Sequence, residues 1–235
     1  MLERVVHRRL HGFLYLLTNS PSAAIYAYAL VLLPGVFLHE LSHYLTARLL
    51  LVRTGRFSLI PAVLPDGTLR LGFVEFYRGR IPMPIRESVI GAAPFIYGTV
   101  AVWAIGRFVL NVPVLLAEPS ADTLLTNLRV VASTPDFYFW LYLLFAISNS
   151  MLPSPSDRQA WPFLLVTIGT VVGGIYFFGM GGAVMQEAAE PLARLFGYLG
   201  IAFTLTILVN GVVIVLLLFL EGLFGKILRR RVYYR

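Results

Sequence analysis

The chain has 235 residues, 58% hydrophobic and only 13% charged, with a net charge of +7 and no cysteine. Soluble domains run nearer a quarter charged, so an ordinary cytosolic enzyme is excluded, as are disordered and collagen-like chains. The absence of cysteine rules out a disulfide framework, an iron–sulfur centre and a thiolate metal site or nucleophile.

Mean hydropathy is +0.78, and the apolar residues fall into long runs. The expected fold class is an all-α polytopic membrane protein. It has about five transmembrane helices, an N-terminal interfacial helix and a small β-hairpin on the inner side. Of the 19 basic residues all but Lys226 are Arg, and they sit in loops and tails between apolar runs. That distribution suits anionic lipid. No nucleic-acid-binding motif accompanies the charge, so no nucleic-acid partner is expected.

Residues 1–20 come first. Leu2, Val5, Val6, Leu10, Phe13, Leu14 and Leu17 recur at helical spacing, with Arg4, Arg8 and Arg9 between them. This predicts an amphipathic helix lying in the membrane interface and ended by Asn19-Ser20-Pro21. The apolar stretch 13–17 is too short for a cleaved signal peptide. A partial crossing near residues 10–20 is the alternative.

A spanning helix needs about 20 mostly apolar residues. The five candidates are residues 22–50, which contain Pro34-Gly35, then 89–110, 137–152, 161–180 and 198–224. The third is short and is expected to stop inside the membrane or to continue irregularly. Residues 111–136 and 181–197 read as outer loops. Arg53, Arg56, Arg70, Arg78, Arg80 and Arg86 follow the first span, and the tail holds Lys226, Arg229, Arg230, Arg231 and Arg235. Residues 53–86 and the tail are therefore placed on the inner side. Within the inner segment, 57–63 and 69–77 have strand-like composition around the turn signal Leu64-Pro65-Asp66-Gly67-Thr68. A hairpin at about 55–80 is expected, with Pro61 confining its strand to an edge.

The first span contains His39-Glu40-Leu41-Ser42-His43, an HExxH motif. On a helix the residues at i and i+4 share a face, so both imidazoles reach one ion, and Glu40 is placed to act on water rather than to ligate. The bland alternative is two buried histidines beside a glutamate. Three ionisable groups in five residues of a spanning helix are costly, and such groups default to function. Catalytic zinc takes three protein ligands. His7 and His11 belong to the interfacial segment and read as polar-face residues. Among the acids, Asp136 lies at the outer end of the third span, Glu75 and Glu87 in the inner loop and its exit, and Glu221 near the inner end of the last span. Asp157 follows the third span on the inner side, where Pro153 and Pro155 forbid a regular helix. It is the preferred third ligand, and an ion pair with Arg158 is its competing role.

These residues resemble the site-2 protease family of intramembrane zinc metalloproteases over about residues 34–160. Phe37-Leu38-His39-Glu40-Leu41-Ser42-His43-Tyr44 is similar to the family's first core helix. Asn149 stands eight residues before Asp157, as in the family's later motif, and Pro155 falls where members also carry proline. Gly91-Ala92-Ala93-Pro94-Phe95-Ile96-Tyr97-Gly98 is similar to the middle-helix segment. The family's Asp-Gly is here Asp157-Arg158, Pro153 comes one residue late, and Gly98 stands where asparagine is common.

The resemblance implies a three-helix metalloprotease core at 21–160, followed by additional helices and a basic tail at 161–235. It implies Zn2+ held by His39, His43 and Asp157, with Glu40 as general base. Asn149 is expected to bind the substrate backbone or the developing oxyanion. The expected activity is hydrolysis of peptide bonds in membrane-spanning proteins or peptides, with the active site toward the cytoplasmic side of a bacterial plasma membrane. The hairpin edge at 69–77 is a candidate acceptor for an unwound substrate strand. The alternative is a non-catalytic scaffold of the same fold that binds transmembrane helices, and the intact Glu40 argues against it. The sequence leaves the oligomeric state open.

Overall fold

A computed structural model describes residues 2–63, 65, 69–77, 84–112, 121–159 and 161–230. The chain is 77% helical. Helix α1 (Leu2–Thr18) ends at Asn19, whose φ of 51° is left-handed, a conformation that asparagine tolerates better than most residues. Ser20 then opens α2 (Pro21–Leu49) by accepting the Ala23 amide at 3.4 Å, with Pro21 in the first helical turn. Both are N-terminal signals, because proline lacks an amide that the helix would leave unpaired anyway.

An interrupted antiparallel hairpin follows. Strand β1 (Thr54–Ser58) pairs with β4 (Phe73–Phe76), with Thr54 opposite Phe76 and Ser58 opposite Phe73 and an irregularity between Thr54 and Phe57. Beyond Pro61, β2 (Ala62–Val63) pairs with β3 (Leu69–Arg70). The expected hairpin is present, beginning at Thr54. Its turn, apart from Pro65, lies outside the described residues, as do Arg78 and Arg80.

Helix α3 (Pro84–Ala104) runs on through a π-helical turn, Ile105–Val109. Then come α4 (Ala121–Ala132), α5 (Phe137–Ser150), α6 (Trp161–Phe177) and α7 (Gly181–Ile227). Helices α2, α3 and α5 pack together, α1 lies against α2 and α7, and α7 also contacts α3 and α5. Their shared core includes Val6, Leu10, Leu32, Val36, Val102, Leu144, Phe145, Ala202 and Leu205.

Several expectations change. Among the described residues three helices are long and apolar enough to cross a membrane, namely Pro21–Leu49, Pro84–Val109 and Gly181–Ile227. A fourth span exists if Leu125–Ala132 and Phe137–Ser150, bent by 92°, count as one. The third span alone is short as expected, 14 residues as helix α5, because Pro153 and Pro155 prevent continuation. The expected fourth, α6, has 17 residues, short of the roughly 20 that a bilayer core requires. The expected outer loop 111–136 contains α4. The expected outer loop 181–197 is the first part of the 47-residue α7. At 1.5 Å per residue such a helix is about 70 Å long, well over the ~30 Å hydrocarbon core. Helix α1 is amphipathic as expected, but α2 and α7 cover the buried Val6, Leu10 and Leu16 of its apolar face. Arg9 reaches Glu221 of α7 at 2.9 Å.

Candidate metal centre

His39 and His43 lie one turn apart on α2, and their Nε2 atoms are 3.2 Å apart. Asp157, in the turn after α5, meets both. Its Oδ1 is 3.3 Å from His43 Nε2 and its Oδ2 is 3.7 Å from His39 Nε2. One ligand atom from each of the three residues falls within 4.8 Å of the others, and among the described residues this is the group able to hold a metal ion. Chain segments over a hundred residues apart thus present two imidazoles and a carboxylate to one point. Asp136, Glu75 and Glu87 do not join this group, and Glu221 pairs with Arg9.

The far side of each ring is also engaged. His39 Nδ1 donates to the Ser150 carbonyl at 2.6 Å, and His43 Nδ1 donates to the Ile90 carbonyl at 2.9 Å. A carbonyl only accepts, so each Nδ1 carries a proton, and each ring turns its Nε2 toward Asp157. This is the outer-sphere arrangement that orients metal-binding histidines.

Both carbonyls are ones that their own helices leave open. Ser150 is the last residue of α5, where the final carbonyls lack intrahelical partners. The amide of Ser154, four residues on, donates instead to Asp157 Oδ2 at 2.7 Å. Ile90 lies four residues before Pro94, which has no amide to give.

Asp157 is fixed from the other side as well. Its amide donates to Ser154 Oγ at 3.3 Å. Burial alone favours the neutral acid, but the hydrogen bond and charge of His43, with the hydroxyl and amide of Ser154, outweigh it and hold the carboxyl below its usual range. Its backbone carbonyl lies so close to Gly91 of α3 that no side chain fits there. Gly35 is similarly pressed against Ala146 of α5, and Gly98 against Met151. Small residues on α2 and α3 therefore bring α5 and the turn beyond it close to the histidines.

Glu40, only 7% exposed, is covered by the hairpin. A side chain at Gly72 would meet Glu40 Cγ at 2.9 Å and Oε1 at 3.1 Å. The hairpin is held there by rings, with Phe57 against Phe37 and Tyr44, and Phe76 edge-on to His43.

Asn149, the expected substrate contact, is buried. Its amide nitrogen donates to the Phe145 carbonyl at 2.8 Å and to Asn210 Oδ1 of α7 at 2.6 Å. Asn210 in turn donates to Ser148 Oγ at 3.2 Å. Asn149 Oδ1 is buried without a hydrogen-bond partner. Asn210 and the two backbone carbonyls escaped the sequence reading. Pro94 within an apolar helix was the available signal for one carbonyl.

Comparison with known proteins gives no further guide: no family model, curated protein or solved structure matches this chain.

Proposed function

We propose that the protein is an intramembrane zinc metalloprotease. The observation that supports this most directly is the convergence of His39, His43 and Asp157, with both distal ring nitrogens committed to backbone carbonyls. Two imidazole nitrogens and a carboxylate oxygen suit zinc and leave a position for water. A zinc ion held by these three residues would polarise a scissile carbonyl and acidify an attacking water.

The chain's own residues do the rest. Glu40 would serve as the base that takes a proton from the attacking water and as the acid that returns it to the leaving amine. Its burial under Gly72 keeps it beside the histidines. An unwound substrate segment adds to the hairpin, where among the described residues no strand pairs with the second edge of β4, leaving its backbone groups open. Asn149 Oδ1, buried and unpartnered, accepts a substrate amide. The long apolar helices suit a membrane protein, and the arginine-rich hairpin segment supports a site facing the cytoplasmic side of a bacterial plasma membrane.

The test compares wild type with Glu40→Gln, both reconstituted with zinc, against membrane-spanning peptides and the membrane proteome of cells making each form. Cleavage fragments are expected with wild type alone. If the two forms leave every membrane protein equally intact, the protease reading fails and the scaffold reading replaces it.

A further inference from the structure

Three prolines lie inside helices, at 34, 94 and 191. A proline in a helix denies a hydrogen bond to the carbonyl four residues before it. For Pro34 and Pro191 those carbonyls belong to Leu30 and Glu187, both exposed residues. For Pro94 the carbonyl belongs to Ile90, itself 6% exposed, and Pro94 is among the most deeply buried side chains of the fold. A buried carbonyl without a donor is costly. Here the donor is His43 Nδ1, from a different helix.

We propose that Pro94 is a positioning residue for His43. By withholding an amide, it reserves the Ile90 carbonyl for the imidazole. That bond fixes both the Nδ1–H tautomer and the direction in which Nε2 faces. The effect on metal binding rests on the reading of the cluster as a metal site, whereas the effect on the ring does not.

The role makes an unusual prediction about stability. Alanine is far better than proline in a helix interior, so Pro94→Ala is expected to preserve or raise thermal stability. The same change gives residue 94 an amide that competes with His43 for Ile90. Zinc affinity is then expected to fall by about 10- to 100-fold, as for loss of other outer-sphere partners of ligating histidines. A purely architectural proline would not move these two quantities in opposite directions.

A second replacement separates the amide from the ring. Lactic acid at position 94 has the alanine side chain but an ester oxygen in place of the amide, and so again no donor. It is expected to keep near-wild-type zinc affinity.

The experiment uses the full chain in detergent micelles with 15N-labelled histidine. It reads the His43 tautomer in metal-free protein, zinc affinity by chelator competition, and thermal unfolding. The proposal predicts a Nδ1–H His43 in wild type and in the ester form, and a mixed tautomer with weaker zinc binding in Pro94→Ala. Pro34→Ala serves as the control and is expected to leave the His43 tautomer and the zinc affinity unchanged. The proposal is overturned if Pro94→Ala keeps the wild-type tautomer and affinity, or if the alanine and ester forms are impaired alike. A wild type that takes up no zinc overturns the metal reading, and the tautomer comparison still decides the role of Pro94.

Discussion

Gly91 lies directly beneath the backbone carbonyl of Asp157, in contact too close for any other residue. The third member of the candidate metal cluster is therefore set by a glycine on α3, a helix that adds no side chain to that cluster.

Gly91→Ala is expected to push the Asp157 turn away from His39 and His43. Overpacking of this kind costs about 1–3 kcal/mol of stability. The larger effect should fall on the site, with zinc affinity reduced by about tenfold or more, as when ligand orientation is lost. Chelator competition on the purified protein measures it. Unchanged affinity would show that the turn can retreat without carrying the carboxylate with it.

Gly72→Val makes a different prediction, because its neighbour is Glu40 and not a ligand. The added methyl groups have no room beside Glu40 Cγ and the Ser58 carbonyl, the latter 3.1 Å from a Cβ at this position. Zinc content should stay near wild type. Peptide hydrolysis should fall by about 10²-fold, the scale of a 1 Å misplacement of a catalytic group. Parallel zinc analysis and cleavage assays separate the two quantities, and loss of zinc would contradict the assignment of separate tasks.

Asn149 and Asn210 form an interhelical bond in an apolar setting. Such bonds average about 0.6 kcal/mol in membrane bundles and reach about 1.7. A double-mutant cycle of Asn149→Ala and Asn210→Ala should give a coupling energy in this range, read by unfolding in detergent. Asn149→Ala should reduce hydrolysis far more than Asn210→Ala if the free Oδ1 of Asn149 receives substrate. Equal losses would assign Asn149 to packing alone.

Arg9 and Glu221 tie α1 to α7 through a partly buried ion pair. Glu221→Gln should destabilise the fold by up to about 1.5–3 kcal/mol, the range for hydrogen bonds to charged groups. Amide exchange in α1 should accelerate. Exchanging the two charges, Arg9→Glu with Glu221→Arg, should recover much of the loss, and failure to recover would mean that the surrounding charges decide the geometry.

How far the sequence revealed this arrangement depended on the range of each interaction. His39 and His43 were legible because a helix places i and i+4 on one face. The meeting with Asp157 was legible in outline, since Pro153 and Pro155 guarantee an irregular turn after α5. The close approach itself depends on Gly35, Gly91 and Gly98, whose partners no sequence spacing reveals. Helix α4 was missed although Leu125, Leu128 and Val131 have helical spacing, because its polar residues and flanks read as a loop. The first part of α7 was read as an outer loop at 181–197, where charged residues interrupt the apolar run, yet the helix continues through Pro191. Asn210 was silent, being a single polar residue in an apolar run.

The clasp between Arg9 and Glu221 also bears on biogenesis. Its partners are 212 positions apart in the chain. At about 5–20 residues per second of synthesis, α1 waits some ten seconds or more with Val6 and Leu10 not yet covered by α7. During that interval the nascent segment must rest on lipid or on an insertion factor. Seating of the last helix then displaces that temporary cover and completes the bundle.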